Sequence, residues 1–165
     1  MRIYIPATSH DIASDNIGER IVHTLTPELV QAVDLQDVPA GERRDVLEAM
    51  AMNAAADDSL RRLAASIRDG ESAQPRRVVI VADAPKNSIE SCADSDQLPT
   101  ALSLAGPLHW KHVESIHIDD DDEALDDINA AMAGDEAAFE RSYEHELMWY
   151  DITERKDLIR ILSAD

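Results

Sequence analysis

Apolar positions along this chain recur with two periods, two and about 3.6 residues, and the switches between them mark out strands and helices. Arg2-Ile3-Tyr4-Ile5 alternates before Pro6, which predicts a first strand ended by the proline. Ser9 and Asp11 are placed to cap a short helix after it. Arg20 to Leu25 is rich in β-branched side chains and reads as a second strand. Thr26-Pro27-Glu28 then combines an N-cap residue, a proline at the first helical position and an acid in the first turn, which opens a helix to about Val33. From about Glu42 to Arg68 the residues Val46, Leu47, Met50, Ala54, Leu60, Leu63, Ala64 and Ile67 return at three- and four-residue steps, the signature of one long amphipathic helix stopped by Gly70.

The second half begins with a polar loop, Glu71 to Gln74 with Pro75, followed by the continuous apolar run Val78-Val79-Ile80-Val81-Ala82. Such a run predicts a central strand buried on both faces. Ala84 to Pro99 reads as a long polar loop, mobile or functional, since long connections seldom occur without a reason. Further strands are expected at Ala101 to Ala105 and Glu114 to Ile118, around a Gly106-Pro107 turn, and at Leu147 to Tyr150. Asp119 to Asp122 is expected to lead into a helix through Ala124, Leu125, Ile128 and Met132 that ends at Gly134, with further helices near Ala137 to Tyr143 and from an N-cap at Thr153 to Leu162. Strands interleaved with helices imply an α/β fold, with α+β as the alternative: a mixed sheet of about five or six strands covered by helices. With no repeat or linker, residues 1–165 read as a single domain, long enough to bury its own core.

Charge narrows the partners. The 34 acidic and 15 basic residues give a net charge of −19. Nucleic acid and anionic membrane surfaces are thereby excluded, because each needs a basic face. A basic protein partner or a cation is what such a surface attracts, although solvation alone also accounts for it. Cys92 is the single cysteine, so no internal disulfide forms, and its acidic surroundings raise a thiol pKa rather than activate it. The opening residues lack a secretory apolar core, and the longest uncharged stretch, Leu98 to Trp110, is interrupted by Pro99, Gly106 and Pro107. A cytoplasmic protein is expected.

Several pieces spread over the chain carry a resemblance. They are Met1-Arg2-Ile3-Tyr4-Ile5-Pro6-Ala7-Thr8, Arg77 to Asp83, Gly106-Pro107 with Val113 to Asp120, and His145-Glu146-Leu147-Met148-Trp149-Tyr150. Together they resemble a family of uncharacterised actinobacterial proteins, a domain of unknown function. The resemblance implies an actinobacterial cytoplasm, which suits lysine being confined to Lys86, Lys111 and Lys156. It assigns no catalytic residue.

Common signatures of chemistry are missing. The glycines at 18, 41, 70, 106 and 134 are too scattered for a phosphate loop or dinucleotide fingerprint, and no nucleophile elbow or zinc-protease motif occurs. Three constellations are left. Asp83 and the pair Asp119-Asp120 each end a predicted strand, and on parallel neighbours they would share an edge and hold a divalent metal such as Mg²⁺. Turn formation and helix-dipole compensation explain the same acids. His109, His112 and His117, near Asp119, offer imidazoles for Zn²⁺ in a spacing that is not diagnostic. His145, Trp149 and Tyr150 form an aromatic segment in which Trp149 and Tyr150 point to opposite faces of a strand, one for the core and one for a partner.

Two function classes follow. One is a non-enzymatic interaction or regulatory module whose acidic surface and aromatic segment bind a protein partner, and it needs no missing motif. The other is a metal-dependent hydrolase or phosphotransfer enzyme built on the strand-end carboxylates. No cofactor is identifiable beyond that divalent metal.

Overall fold

The computed structural model describes residues 1–70, 74–92 and 97–164. Most of the polar stretch expected at Glu71 to Gln74, and residues 93–96 of the long connection, lie outside the described residues.

Among the described residues, nine strands and six α-helices follow one another as β1 (Arg2–Ala7), α1 (Ser9–Ala13), β2 (Asn16–Ile17), β3 (Arg20–His23), α2 (Pro27–Ala32), α3 (Arg43–Arg68), β4 (Val78–Asp83), β5 (Ile89–Ser91), β6 (Ala101–Leu104), β7 (Leu108–His109), β8 (Val113–Ile118), α4 (Asp122–Met132), α5 (Glu136–Ser142), β9 (Met148–Asp151) and α6 (Arg155–Ala164). Seven strands form one sheet in the order β5-β6-β3-β1-β4-β8-β9, and β2 pairs with β7 in a small second sheet. No helix among the described residues is long and apolar enough to cross a membrane.

Helices cover the sheet on both faces, as the alternation of elements requires for an α/β fold. On one face Ile3, Ile5, Val78, Ile80, Ile116 and Ile118 pack with Ile12 of α1, Leu158 of α6, and Ile17 and Leu108 of the small sheet. On the other, Tyr4, Val79 and Val81 meet Ala51, Ala55 and Ala56 of α3, whose lower half packs through Leu60 and Leu63 on Ile128 of α4. The small side chains on α3 let the helix axis come close to the strands.

Every pairing is antiparallel, where the strand–helix alternation had suggested a mixed sheet. The run Val78 to Ala82 is buried on both faces, as expected, because of the helices above and below it and not because its neighbours are parallel. Since β3 and β4 both run antiparallel to β1, they are parallel to each other with β1 between them, and α2 and α3 carry the chain across it.

Local details refine the expected boundaries. Thr26 caps α2 by accepting from Leu29 N–H at 3.0 Å. The polar connection after β4 contains a 3₁₀ turn at Lys86–Ser88 and the edge strand β5, where its composition predicts a loop. The first strand continues through Pro6 to Ala7, with Pro6 opposite Val79. β3 registers with β1 at Tyr4↔His23, and the Pro6 carbonyl accepts from Arg20 Nη1 at 3.0 Å. The proline thus stands where the pairing between β1 and β3 opens.

A candidate binding pocket between α3, β8 and β9

The strands fix the pocket floor. β8 presents Ser115 and His117 to the α3 face, because Val81 and Val79, their partners across β4, belong to the cluster packed on α3. The chain leaving α5 then runs along the edge into β9, with His117 opposite Trp149. Between these elements is a cavity of about 310 Å³. Met52, Ala56 and Leu147 supply apolar wall; Asp57, Arg77, His117, Tyr143, His145 and Glu146 supply its polar groups.

Arg77 is a fixed part of the wall. It is 3% exposed and Asp119 is 0% exposed. Asp119 Oδ2 accepts from Arg77 N–H at 2.8 Å and from Nε at 2.9 Å, and Oδ1 accepts from Nη2 at 2.8 Å. Nη2 also donates to the His145 carbonyl at 3.2 Å, which holds the loop before β9. The guanidinium charge is cancelled by a bidentate partner, so Arg77 contributes shape more than charge.

The remaining groups leave the pocket acidic. Burial raises the Asp57 carboxyl above its usual range, against the hydrogen bond it accepts from Tyr143 Oη at 2.8 Å. Burial first, and then that bond, pushes the Tyr143 hydroxyl up to about 12. His117 is pushed down to about 4 by burial and by the Arg2 charge, so its ring is neutral at pH 7 and shares a hydrogen bond with Ser115 Oγ at 3.1 Å. His145 Nε2 donates to Asp127 Oδ2 at 2.8 Å. Hydrogen bonds from Arg141 and His145 hold the Asp127 carboxyl below its ordinary value. Glu146 is exposed at the mouth. Asp57 therefore sits partly desolvated in a pocket whose arginine is already neutralised and whose floor histidine is uncharged.

Two of the three anticipated constellations come apart. β4 and β8 are antiparallel, with Val78 opposite Ile118, so Asp83 and Asp119 stand at opposite ends of the sheet instead of sharing an edge. Asp83 is exposed and accepts from the Met1 amino group at 2.6 Å; Asp119 is sealed against Arg77; Asp120 accepts from Tyr150 Oη at 2.9 Å. The imidazoles also separate. His109 lies in the small sheet, His112 in a 3₁₀ turn near Asp83, and His117 near the far end of β8. Among the described residues, no three His, Cys, Asp or Glu side chains come together as metal ligands.

The aromatic segment keeps its predicted geometry. Trp149 is 56% exposed on the pocket side of the edge strand, and Tyr150 packs against the opposite core. Of the residues expected from the sequence, His117 and His145 line the pocket, Asp119 holds its Arg77 wall from behind, and Trp149 lies on the same sheet face beside it. Asp57, Arg77, Tyr143 and Glu146 were not singled out from the sequence. Arg77 carried a signal, a cation immediately before a buried strand, and Glu146 lies inside the segment His145 to Tyr150; Asp57 is one carboxylate among 34 and carried none.

Residues 1–159 match the family described as "Family of unknown function (DUF6912)", and the chain belongs to it. No curated protein and no solved structure matches the chain.

Proposed function

We propose that this member of the family is a non-enzymatic interaction module that binds a basic segment of a partner protein, taking a lysine or arginine side chain into the pocket beside α3. The observation that carries the reading is the pairing of His117 with Trp149. It sets a half-exposed indole on the same face as a pocket holding the desolvated Asp57 and the rim carboxylate Glu146. A cation entering there gains a charge-assisted hydrogen bond to Asp57 and relieves the cost of its burial. A second cation lying over Trp149 gains a cation–π contact, for which indole is the best ring. The apolar wall of Met52, Ala56 and Leu147 suits the methylene stem of a long basic side chain. Long-range attraction by the net charge of −19 brings such a segment in.

Titration of the chain with a short lysine- and arginine-containing peptide, followed by tryptophan fluorescence, tests this. The two indoles differ, since Trp110 is stacked under Arg155 at 3.8 Å and Trp149 is open. The expected result is saturable binding that weakens about tenfold in Asp57→Asn by fluorescence, and about tenfold in Trp149→Ala by calorimetry, since that variant lacks the responsive indole. Asp157→Asn, which removes the same charge at an exposed position of α6, is expected to bind like the parent. Equal weakening in Asp57→Asn and Asp157→Asn would reduce the interaction to diffuse charge and sink the pocket. Capture of a native partner from lysate at low salt, with release at high salt, extends the test to the protein's own ligand.

A further inference from the structure

A second cavity, of about 330 Å³, lies on the other flank of α3, where β1 and β3 part at Pro6. Its chemistry is the reverse of the first. Arg20, Arg61 and Arg62 line it, a concentration of guanidinium groups in a chain with 34 acids and 15 bases. Arg20 is locked in place: Nε donates to the Gly18 carbonyl at 3.0 Å, Nη1 to the Pro6 carbonyl at 3.0 Å and Nη2 to Asp11 Oδ1 at 2.8 Å. Arg61 is exposed and reaches Asp58 through one nitrogen, and Asp58 also accepts from His23 Nε2 at 3.0 Å. Arg62 is the exception. Its Nε is buried and has no hydrogen-bond partner, and no ion pair engages it among the described residues.

A buried donor on a charged group without an acceptor is costly, and a bound water or anion beside it is one way that cost is met. We propose that this pocket binds the phosphate group of a small phosphorylated molecule, with Arg62 as the principal ligand and Arg61 closing over it. A phosphate monoester offers several terminal oxygens and close to two negative charges, and it satisfies two guanidinium forks better than one carboxylate does. Asp58 is occupied by His23 and Arg61, and Glu19, exposed at the rim, is the one acid of the lining with no partner among the described hydrogen bonds. Burial first, and then the nearby Arg20 charge, lower the Arg62 guanidinium from its ordinary value; Asp11 and Asp58 oppose them only in part, and an anion in the pocket would relieve the rest. The apolar part of the lining, Pro6, Ile21 and Ala65, leaves room for the organic remainder. This site is independent of the basic-segment pocket.

Calorimetric titration of the full chain with glycerol 3-phosphate, inorganic phosphate and glycerol tests the proposal. One saturable site for glycerol 3-phosphate, no heat with glycerol, and about tenfold weaker binding in Arg62→Gln are expected. Arg160→Gln, a change at an exposed position of α6, is expected to bind like the parent. Inorganic phosphate binding as tightly as the ester would identify free phosphate as the ligand and support the same site. Should Arg62→Gln fail to fold, Arg61→Gln, at an exposed position, serves in its place and is expected to weaken binding severalfold. Absence of saturable binding by either phosphate, or unchanged affinity in the arginine variant, overturns the proposal.

Discussion

Asp57 is the residue at which binding and stability pull in opposite directions. Its carboxyl titrates above the ordinary value of 3.8 in the folded chain, so the fold favours the protonated form. A group with a raised folded pKa contributes its full stability below the unfolded value and loses it as pH rises through the folded one. At neutral pH the ionised Asp57 is therefore a cost. Asp57→Asn removes the charge and keeps an acceptor for Tyr143 Oη. Its melting temperature is expected to exceed the parent's at pH 7 and to equal it near about pH 3, where both side chains are neutral. His117 titrates in the same acid range with its pKa lowered to about 4, and its contribution cancels because both proteins carry it. A higher melting temperature together with lost peptide binding is the mark of a functional group kept against stability. A lower melting temperature at pH 7 would show that Asp57 is structural.

Among the elements, α3 does most to build both pockets, and Ser59 fixes where it sits. The Ser59 hydroxyl is buried; it donates to the Ala7 carbonyl at 2.6 Å and accepts from Val78 N–H at 2.8 Å, bridging the end of β1 and the start of β4. Ser59→Ala strands both backbone groups away from water. It is expected to cost about 2–4 kcal/mol, read as a lower midpoint in urea with an unchanged slope. The helix itself was legible, since its apolar residues keep a 3.6-residue period over 26 residues, and so was β4 from its unbroken apolar run. The pairs β2–β7 and β5–β6 were harder. Two- and three-residue edge strands are too short to show a period, and β5 carries Glu90 among half-exposed neighbours. Strand direction was not legible at all, because alternation fixes which face a residue takes and is silent on which way its neighbour runs. That one missing fact separated Asp83 from Asp119, and it also brought Arg77 at the start of β4 against Asp119 at the end of β8. Trp149 and Tyr150 fared better, since their division between faces depends on alternation alone.

At the scale of the whole molecule, the same charge acts on folding and on binding with opposite signs. A net charge of −19 on 165 residues repels itself in the compact state. Added salt shortens the screening length to about 8 Å at physiological ionic strength, so the melting temperature is expected to rise with NaCl and then level off. The attraction that draws in a basic segment is screened by the same ions, so its affinity is expected to fall as the fold grows more stable. What survives salt separates the pocket from the surface. Diffuse attraction fades once separations exceed the screening length, whereas a contact with the partly desolvated Asp57 is screened far less. The affinity ratio between the parent and Asp57→Asn is therefore expected to persist at high salt, while the overall affinity of both declines and Asp157→Asn follows the parent throughout. Peptide titrations at low and high NaCl measure all three. A ratio that collapses to one as salt rises would leave only a charged surface, with Asp57 one carboxylate among many.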